Sequence, residues 1–474
     1  MSQTRGNSIG NVECLFLRAL GLVYFWAFAS LGLQITGLVG ARGVMPVARL
    51  LISIKAQLGT QAYWEVPSLF WVNSSDSALV LASALGTAAA LLLMLQVVPR
   101  LATAVCFVLY LSLVSIGQPF TSFQWDALLL ETGFLALFAG APHLGWAYRL
   151  LLFRLMFESG WVKLASHDVN WRNLHALRFH FFTQPLPNPV AYYAHRLPDS
   201  VLDGFTAITL AIELAVPFLL FCPSRARRIG AIILATLQFA ILLTGNFAFF
   251  NLLTLALCLW GFEDADFDLL APWLRQRYRL WSFDAAGPAA RAAGGAVVSM
   301  LIGLGALQLV NALLPRTQRV LPTVLAAVQP FEIVNGYGLF AVMTTTRGEI
   351  VLEGSNDQVN WRAYEFPYKP GRLSRELPWV APLQPRLDWQ MWFAALGDAQ
   401  GNSWVGGLMY RLLTGEPSVC RLLEKLPFER PPHYLRAQMY DYTFTTPAER
   451  WRTGAVWKRE LRGTWFGPVS LTGQ

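Results

Sequence analysis

Apolar and polar positions divide this 474-residue chain into two parts with different patterns. Up to about residue 316 the sequence is a series of long apolar runs, among them residues 78–98, 229–244 and 293–314. A helix needs about 20 apolar residues to cross the hydrocarbon layer, so these runs are typical of membrane spans. Charged, aromatic and apolar residues then alternate to the end. The pattern predicts a multi-pass transmembrane domain over residues 1–316 and a folded domain over residues 317–474.

The first part contains about nine candidate spans. Charged residues interrupt the fourth, fifth and sixth of them, and ionisable groups are costly in a bilayer. The number of spans falls to five or six if these helices only dip into the membrane or surround a cavity. The candidate spans are residues 13–38, 78–98, 101–117, 127–142, 146–165, 202–222, 228–245, 246–262 and 293–314.

The second part has the alternating pattern of β-strands, interrupted by turn residues and a Trp-rich helical stretch. We expect a mainly α-helical polytopic membrane bundle followed by a β-rich, β-sandwich-like α+β domain. The Trp-rich faces are typical of a packed core. The alternative is an exposed surface for a partner protein, with Trp361, Trp389 and Trp392 as candidate binding residues. The expected strands are residues 349–353, 361–366, 434–444 and 455–461, with turns at 354–357 and 447–453 and helices at 388–396, 408–413 and 419–426.

Composition and charge favour a chain whose main solvent is lipid. Hydrophobic residues make up 54% and charged residues 14%, whereas soluble domains carry about a quarter charged residues. The net charge of +8 comes from Arg residues beside apolar runs, a pattern that indicates membrane orientation rather than nucleic-acid binding. With a cytoplasmic N-terminus at Arg5, the cytoplasmic side receives Arg100, Arg149 and the clusters at 225–228 and 275–279. The C-terminal domain is then extracytoplasmic.

The sequence contains no signature of a cofactor or metal site. Its five cysteines have neither CxxC nor Cys/His ligand spacing, which argues against a zinc site, a redox dithiol and a disulfide scaffold. No nucleophile elbow, P-loop or dinucleotide fingerprint is present. We therefore expect no cofactor and no metal.

Ionisable residues in or beside the spans are the candidates for chemistry. Arg154 and Glu158 are four residues apart on one helical face, and Lys163 follows near the membrane edge. An internal ion pair that fixes the helices is the main interpretation. The alternatives are a proton relay, a substrate-binding carboxylate, and long side chains that snorkel to the interface. The full set is Asp126, Glu131, Arg154, Glu158, Lys163 and Glu213.

The connection formed by residues 166–201 is the most polar segment near the membrane. It contains four of the six histidines, and His175 and His180 are five apart, which does not align them as a metal-binding pair. Structural histidines are the main interpretation. Weak catalytic candidates are Glu158, His175 and His180, one of the histidines serving as a general base. Residues 183–189 contain three prolines and predict a rigid extended loop.

An earlier connection, residues 41–77, includes an amphipathic helix at residues 45–58. This helix either lies on the bilayer surface or packs on neighbouring loops. Asn73 begins an N-glycosylation sequon, which matters only in a eukaryotic host. The apolar positions of the helix are Val47, Leu50, Leu51 and Ile54, and its basic positions are Arg49 and Lys55.

Seven strings of residues resemble a known family. They are residues 122–134 (SFQWDALLLETGF), 154–160 (RLMFESG), 171–174 (WRNL), 183–187 (TQPLP), 243–246 (LTGN), 335–346 (NGYGLFAVMTTT) and 385–393 (PRLDWQMWF). Together they resemble the lipase maturation factor family over nearly the whole chain. The resemblance implies a multi-pass protein of the animal endoplasmic reticulum membrane, which helps secreted lipases fold and assemble into active dimers. It also implies a lumenal C-terminal domain, and it supplies no catalytic residues. A bacterial inner-membrane homologue, whose client need not be a lipase, would also suit the composition.

Three functions compete on this basis. The first is a chaperone-like maturation factor whose partners are membrane lipids and a secreted client protein. The second is a membrane-embedded enzyme that modifies a protein or lipid with the polar residues of the bundle and of connection 166–201. The third is carbohydrate or lipid binding by the β-rich domain, which rests on fold analogy alone. For the first function we expect that deleting residues 317–474 abolishes client activity and leaves membrane insertion intact.

Overall fold

The computed structural model describes residues 10–270, 287–314 and 322–471. Arg5, the basic cluster at residues 275–279 and the domain boundary at residues 316–317 lie outside these ranges. The predictions made at those positions therefore stay predictions.

Helices make up most of the described chain, and they concentrate before residue 330. Several short helices connect the long ones on the side where the C-terminal region lies. In chain order the helices are α1 (Asn11–Gly32), α2 (Ile35–Val39), α3 (Val47–Leu58), α4 (Ala62–Glu65), α5 (Asp76–Met94), α6 (Pro99–Ile116), α7 (Gln124–Ala136), α8 (Leu144–Ala165), α9 (Val169–Arg172), α10 (Ala176–Thr183), α11 (Pro189–Ala194), α12 (Asp199–Ala215), α13 (Ser224–Thr244), α14 (Phe250–Cys258), α15 (Pro288–Leu313), α16 (Thr323–Val328), α17 (Arg386–Ala394), α18 (Ser403–Leu413), α19 (Pro417–Cys420) and α20 (Pro447–Thr453).

Six of the described helices are long and apolar enough to cross a membrane, with mean hydropathies from 1.6 to 2.1. They are α1, α5, α6, α12 with its extension to Phe221, α13 and α15. By this criterion nine spans are too many. The lower alternative of five or six spans agrees with the six helices. The sixth predicted span qualifies in spite of Glu213, whereas the eighth, residues 246–262, contains the nine-residue helix α14 and a following 3-10 turn, which are together too short.

The three predicted spans that fail are short or charged helices. α7 has 13 residues, and α8 has 22 but carries Arg149, Arg154, Glu158 and Lys163. Most side chains of α7 and α8 are buried. In the most apolar stretches of α12, α13 and α15, by contrast, only 22–28% of the residues are buried inside the protein. The polar helices α7 and α8 thus lie inside the bundle, and α12, α13 and α15 leave most of their apolar side chains uncovered by protein, as expected of helices that face lipid.

The C-terminal region contains one four-stranded antiparallel sheet in the order β2-β1-β3-β4. The predicted hairpins are confirmed, although the expected turn at 447–453 is the helix α20, which Thr446 and Glu449 cap reciprocally. Helices and the membrane bundle, rather than a second sheet, cover the face of Ile350 and Leu352. The strands are β1 (Gly348–Ser355), β2 (Arg362–Ala363), β3 (Tyr434–Phe444) and β4 (Trp457–Val469).

A single apolar core continues from the bundle into the C-terminal region. Trp389 of α17 lies against Phe123 and Trp125 at the start of α7, with ring centroids 5.8 and 4.8 Å apart. Phe120 meets Trp404 of α18 at 5.5 Å. The two parts that the sequence pattern separates are therefore packed together as closely as the inside of one domain.

Candidate functional site: a buried ionic joint

A pair of buried charges connects the bundle to the C-terminal region. Arg386 at the first position of α17 donates from Nη1 and Nη2 to the two carboxylate oxygens of Asp126, each at 2.8 Å, and both side chains are fully buried. Tyr110 donates its hydroxyl proton to the same carboxylate, and Phe120 O accepts from Arg386 Nη1 at 2.7 Å. This two-pronged geometry fixes both distance and orientation between α7 and α17.

A second cluster of buried charges lies deeper in the bundle, between α7 and α8. Arg154 Nη1 donates to Glu131 Oε1 at 2.7 Å, and Arg154 Nη2 donates to the carbonyl of Asn335. Glu131 Oε2 accepts from Asn335 N at 2.9 Å and from the Tyr337 hydroxyl at 2.8 Å. Glu158 Oε2 accepts from Tyr337 N at 2.7 Å. The segment before β1 thus enters the bundle and is held there by three charged side chains.

Helical spacing explains why these charges meet. Arg154 Nε lies 3.7 Å from Glu158 Oε1, the expected i, i+4 pair on α8. The main interpretation of this pair, an internal ion pair that fixes the helices, agrees with the geometry. The sequence pattern did not indicate that the partners of Asp126 and Glu131 lie in the C-terminal part. We call the set formed by Asp126, Glu131, Arg154, Glu158, Asn335, Tyr337 and Arg386 the ionic joint.

The last two charges predicted in the membrane pair with each other rather than with the ionic joint. Lys163 Nζ donates to both carboxylate oxygens of Glu213, at 2.8 and 2.7 Å, and so ties α8 to α12. Its ammonium also lies 5.1 Å from the ring centre of Trp171. Trp171 Nε1 in turn donates to Phe340 O at 2.9 Å, which again reaches the C-terminal region.

Two of the three weak catalytic candidates, His180 and Glu158, lie in different surroundings, and a catalytic role for any of the three stays a prediction. His180 is surrounded by the rings of Phe181, Phe247 and Phe340. Burial, helped by the charge of Lys163, lowers the pKa of His180 to about 4, so it is a poor proton acceptor at neutral pH. Glu158 accepts a backbone hydrogen bond inside the joint. The described ranges contain no group of three or more His, Cys, Asp or Glu side chains that could hold a metal ion.

A second contact between the two parts is formed by the proline-rich loop, which the sequence predicted to be rigid. Arg347 donates to Phe182 O at 2.9 Å and to Pro185 O at 2.8 Å, and it also donates to the Gln184 carbonyl. Glu349 neutralises Arg347 at 2.7 Å and Lys369 at 2.8 Å. These buried charges have no local signature in the sequence, because the strand pattern gives no reason to bury Glu349.

Two of the three candidate partner-binding tryptophans are inside this interface, which agrees with the packed-core interpretation and contradicts the alternative of an exposed surface for them. Trp389 is 2% and Trp392 is 8% exposed. Trp392 Nε1 donates to Thr183 O at 2.9 Å, because its amphipathic ring finds an acceptor at the buried loop. Trp361 is half-buried, and the guanidinium of Arg436 covers its ring at 4.1 Å.

Comparison with known proteins agrees with this two-part arrangement. The lipase maturation factor transmembrane domain matches residues 12–269, and the lipase maturation factor C-terminal domain matches residues 333–467. Lipase maturation factor 2 of Gallus gallus is 34% identical over 97% of this chain and 81% of its own length. The chain belongs to the lipase maturation factor family. Lipase maturation factor 2 of Homo sapiens is 35% identical over 96% of this chain and 82% of its own length. Lipase maturation factor 1 of Homo sapiens is 34% identical over 96% of this chain and 87% of its own length. No solved structure matches.

The ionic joint joins the two segments that match the family. Asp126, Glu131, Arg154 and Glu158 belong to the matched transmembrane domain. Their partners Asn335, Tyr337 and Arg386 belong to the matched C-terminal domain. In this member of the lipase maturation factor family, a cluster of buried charges therefore lies where the two family domains meet.

Proposed function

We propose that this protein is a membrane-bound maturation factor that assists the folding and assembly of a secreted client, a lipase in the family's animal setting. The observation that carries this proposal is the similarity to lipase maturation factors over nearly the whole chain, in both domains. Membrane lipids and the client are the partners.

The ionic joint supports a holding function rather than a catalytic one. Charges buried at an interface are costly unless they are paired, and here they are paired across it. They hold the C-terminal region in one position above the bundle. A C-terminal region that is already fixed reduces the total loss of conformational entropy on binding, because only the client then has to be ordered. The enzyme alternative finds no support in the comparisons, since the named relatives are maturation factors.

An extracytoplasmic C-terminal region in the endoplasmic reticulum membrane, or in a bacterial inner membrane, is part of the proposal. Phe120, four residues after the end of α6, accepts a hydrogen bond from Arg386 of the C-terminal region. Gln184 donates to Thr244 O at the end of α13, and its own carbonyl accepts from Arg347 of the C-terminal region. Arg100 and the cluster at 225–228 begin these same helices and so lie at the opposite end of the bundle. Basic residues mark the cytoplasmic side.

The test is the production of an active client in cells that lack an endogenous factor. A secreted lipase is expressed alone, with the wild-type chain, or with Arg386→Met, which removes the charge from the ionic joint. We expect the wild type to raise the specific activity of the secreted lipase and Arg386→Met to lose most of this gain. Arg430→Met, at an exposed position, is the matched control. Lipase activity that is the same with and without the wild-type chain would overturn the proposal.

A separate arm tests the enzyme alternative. His175→Ala and His180→Ala should keep the gain in lipase activity at equal protein level. Complete loss of the gain for both, with unchanged membrane levels, would favour an enzyme.

A further inference from the structure

We propose that residues 62–72, here called the aromatic ledge, lie in the headgroup layer of the bilayer leaflet on the side of the C-terminal region. The aromatic ledge comprises α4 and the loop after it, and it ends four residues before α5 begins at Asp76. Four large apolar side chains on it are exposed. They are Tyr63 at 46%, Trp64 at 52%, Leu69 at 51% and Val72 at 91%.

Hydrogen bonds to α6 fix the height of the aromatic ledge relative to the end of this spanning helix. Ser68 Oγ donates to Ser112 O at 2.9 Å, and Leu69 N donates to Ser112 Oγ at 3.2 Å. Ser115 Oγ donates to Pro67 O at 3.4 Å. Ser112 lies four residues before the end of the spanning helix α6 at Ile116, which is about 6 Å along the helix axis. The aromatic ledge therefore lies beside the final turn of a span, on the side where Phe120 meets Arg386.

The chemistry of the aromatic ledge fits this depth. Tyr and Trp are enriched where a membrane meets water, because their rings combine an apolar body with a polar group. Lys55 of α3 places its ammonium 5.4 Å from the Tyr63 ring centre, where a lipid phosphate would find a counter-charge. α3 itself buries Val47 and Leu51 in the protein, so the apolar face predicted for that helix packs inward. Ile52 and Leu58 of α3 are also exposed, at 71% and 43%, so the exposed apolar surface includes part of α3 as well as the aromatic ledge.

The aromatic ledge also holds the chain segment that leads to the ionic joint. Trp64 Nε1 donates to Ala327 O at 3.0 Å, and its ring lies 4.8 Å from the ring of Phe331. Residues 327–331 run directly into Asn335. Lipid contact at the aromatic ledge would therefore fix this segment at a constant height relative to the membrane surface.

The test uses a fluorescent label whose emission reports on its surroundings. Cys222 and Cys420, the two cysteines that are not fully buried, are changed to Ser. Val72→Cys is labelled with nitrobenzoxadiazole and placed in phosphatidylcholine nanodiscs, with or without phosphatidylcholine that carries a doxyl group at carbon 5. Leu69→Cys is a second variant with the same expected result. Val359→Cys, 78% exposed between β1 and β2, is the control.

We expect a blue-shifted emission at residue 72 and at residue 69, with a loss of intensity when the doxyl lipid is present. The control label should be quenched by iodide in the buffer instead. Labels at both positions that emit as in water, like the control, would overturn the proposal. A blue shift without doxyl quenching would also overturn it, because protein rather than lipid would then cover the aromatic ledge.

Discussion

A few side chains of the ionic joint make several hydrogen bonds each between the transmembrane bundle and the C-terminal region. Asp126 is fully buried, and Arg386 is the cation that neutralises it. Hydrogen bonds to a charged group are strong, and a buried ion left without its partner costs far more than the pair contributes. Stability should therefore depend sharply on which partner is removed.

Replacing Arg386 with Met keeps an unbranched apolar side chain and removes the charged guanidinium. We expect a loss of about 3–5 kcal/mol, since Asp126 then remains ionised and buried or takes up a proton. The thermal unfolding midpoint of the purified protein in detergent measures this loss. In the double variant Asp126→Asn/Arg386→Met part of the midpoint should be regained, because the unpaired charge is gone. Equal midpoints for Arg386→Met and wild type would contradict the role given to the pair.

Glu332, beside the ionic joint, should make the stability of the folded protein depend on pH. Burial, together with the charges of Glu131 and Asp126, raises its pKa from 4.5 to about 7. The Glu332 carboxyl holds its proton more tightly in the folded state than in the unfolded chain. Its contribution to the free energy of unfolding is therefore greatest below about pH 4.5 and is lost as the pH rises through 7. Glu332→Gln should raise the unfolding midpoint at pH 8 and leave it nearly unchanged at pH 4. We expect the substitution to raise the free energy of unfolding at pH 8 by on the order of 1 kcal/mol. The effect is small because the side chain is partly exposed.

The matched control is Glu429→Gln, at an exposed position of the C-terminal region. Its unfolding midpoint should follow the wild type at both pH values. A Glu332→Gln protein that is no more stable than wild type at pH 8 would show that the carboxyl is already charged and well solvated there.

At the scale of elements, the spanning helices differ in how closely they pack. α1 and α5 lie side by side with little space between them. A Cβ atom added at Gly86 of α5 would lie 2.3 Å from the ring of Phe28, which is itself fully buried. α15 is different, since a Cβ added at Gly303 would meet no atom within 4 Å. Small residues allow close helix approach in membranes, but only where a neighbour is present.

These two glycines give a matched pair of variants. Gly86→Ala should destabilise the protein by about 1–3 kcal/mol, because neither the helix nor the buried ring can move without disturbing the core. Gly303→Ala should be neutral or slightly stabilising, since Ala favours a helix. Unfolding midpoints of both variants in the same detergent provide the measurement. Similar midpoints for the two would contradict the tight packing of α1 against α5.

At the scale of the whole molecule, the two family domains share one apolar core and the ionic joint. This changes the expectation for removal of the C-terminal part. Deleting residues 317–474 uncovers Phe123 and Trp125 and leaves Asp126 without its cation. We expect the truncated chain to insert into membranes and then to elute as an aggregate from size exclusion in detergent. A monodisperse truncated chain would show that the bundle is stable alone.

Sequence reasoning predicted the elements better than their assembly. Apolar runs identify the six long spans because hydropathy depends on composition alone, and the alternation in β1, β3 and β4 is a local pattern as well. The charged helices α7 and α8 do not meet the length and hydropathy criterion for a span, and that criterion does not reveal whether a helix faces lipid or protein. The partner of Asp126 lies 260 residues away, and no local pattern can indicate such a pairing. The burial of Trp389 follows from the same long-range contact.

Synthesis of this protein on a ribosome adds a consequence of the pair between Asp126 and Arg386. The nascent chain exposes the acidic partner to the translocon long before the basic one, 260 codons later, is translated. During that interval the early helices carry a carboxylate with no counter-ion. A chain that stops before residue 386 therefore keeps Asp126 without the cation that neutralises it in the complete protein.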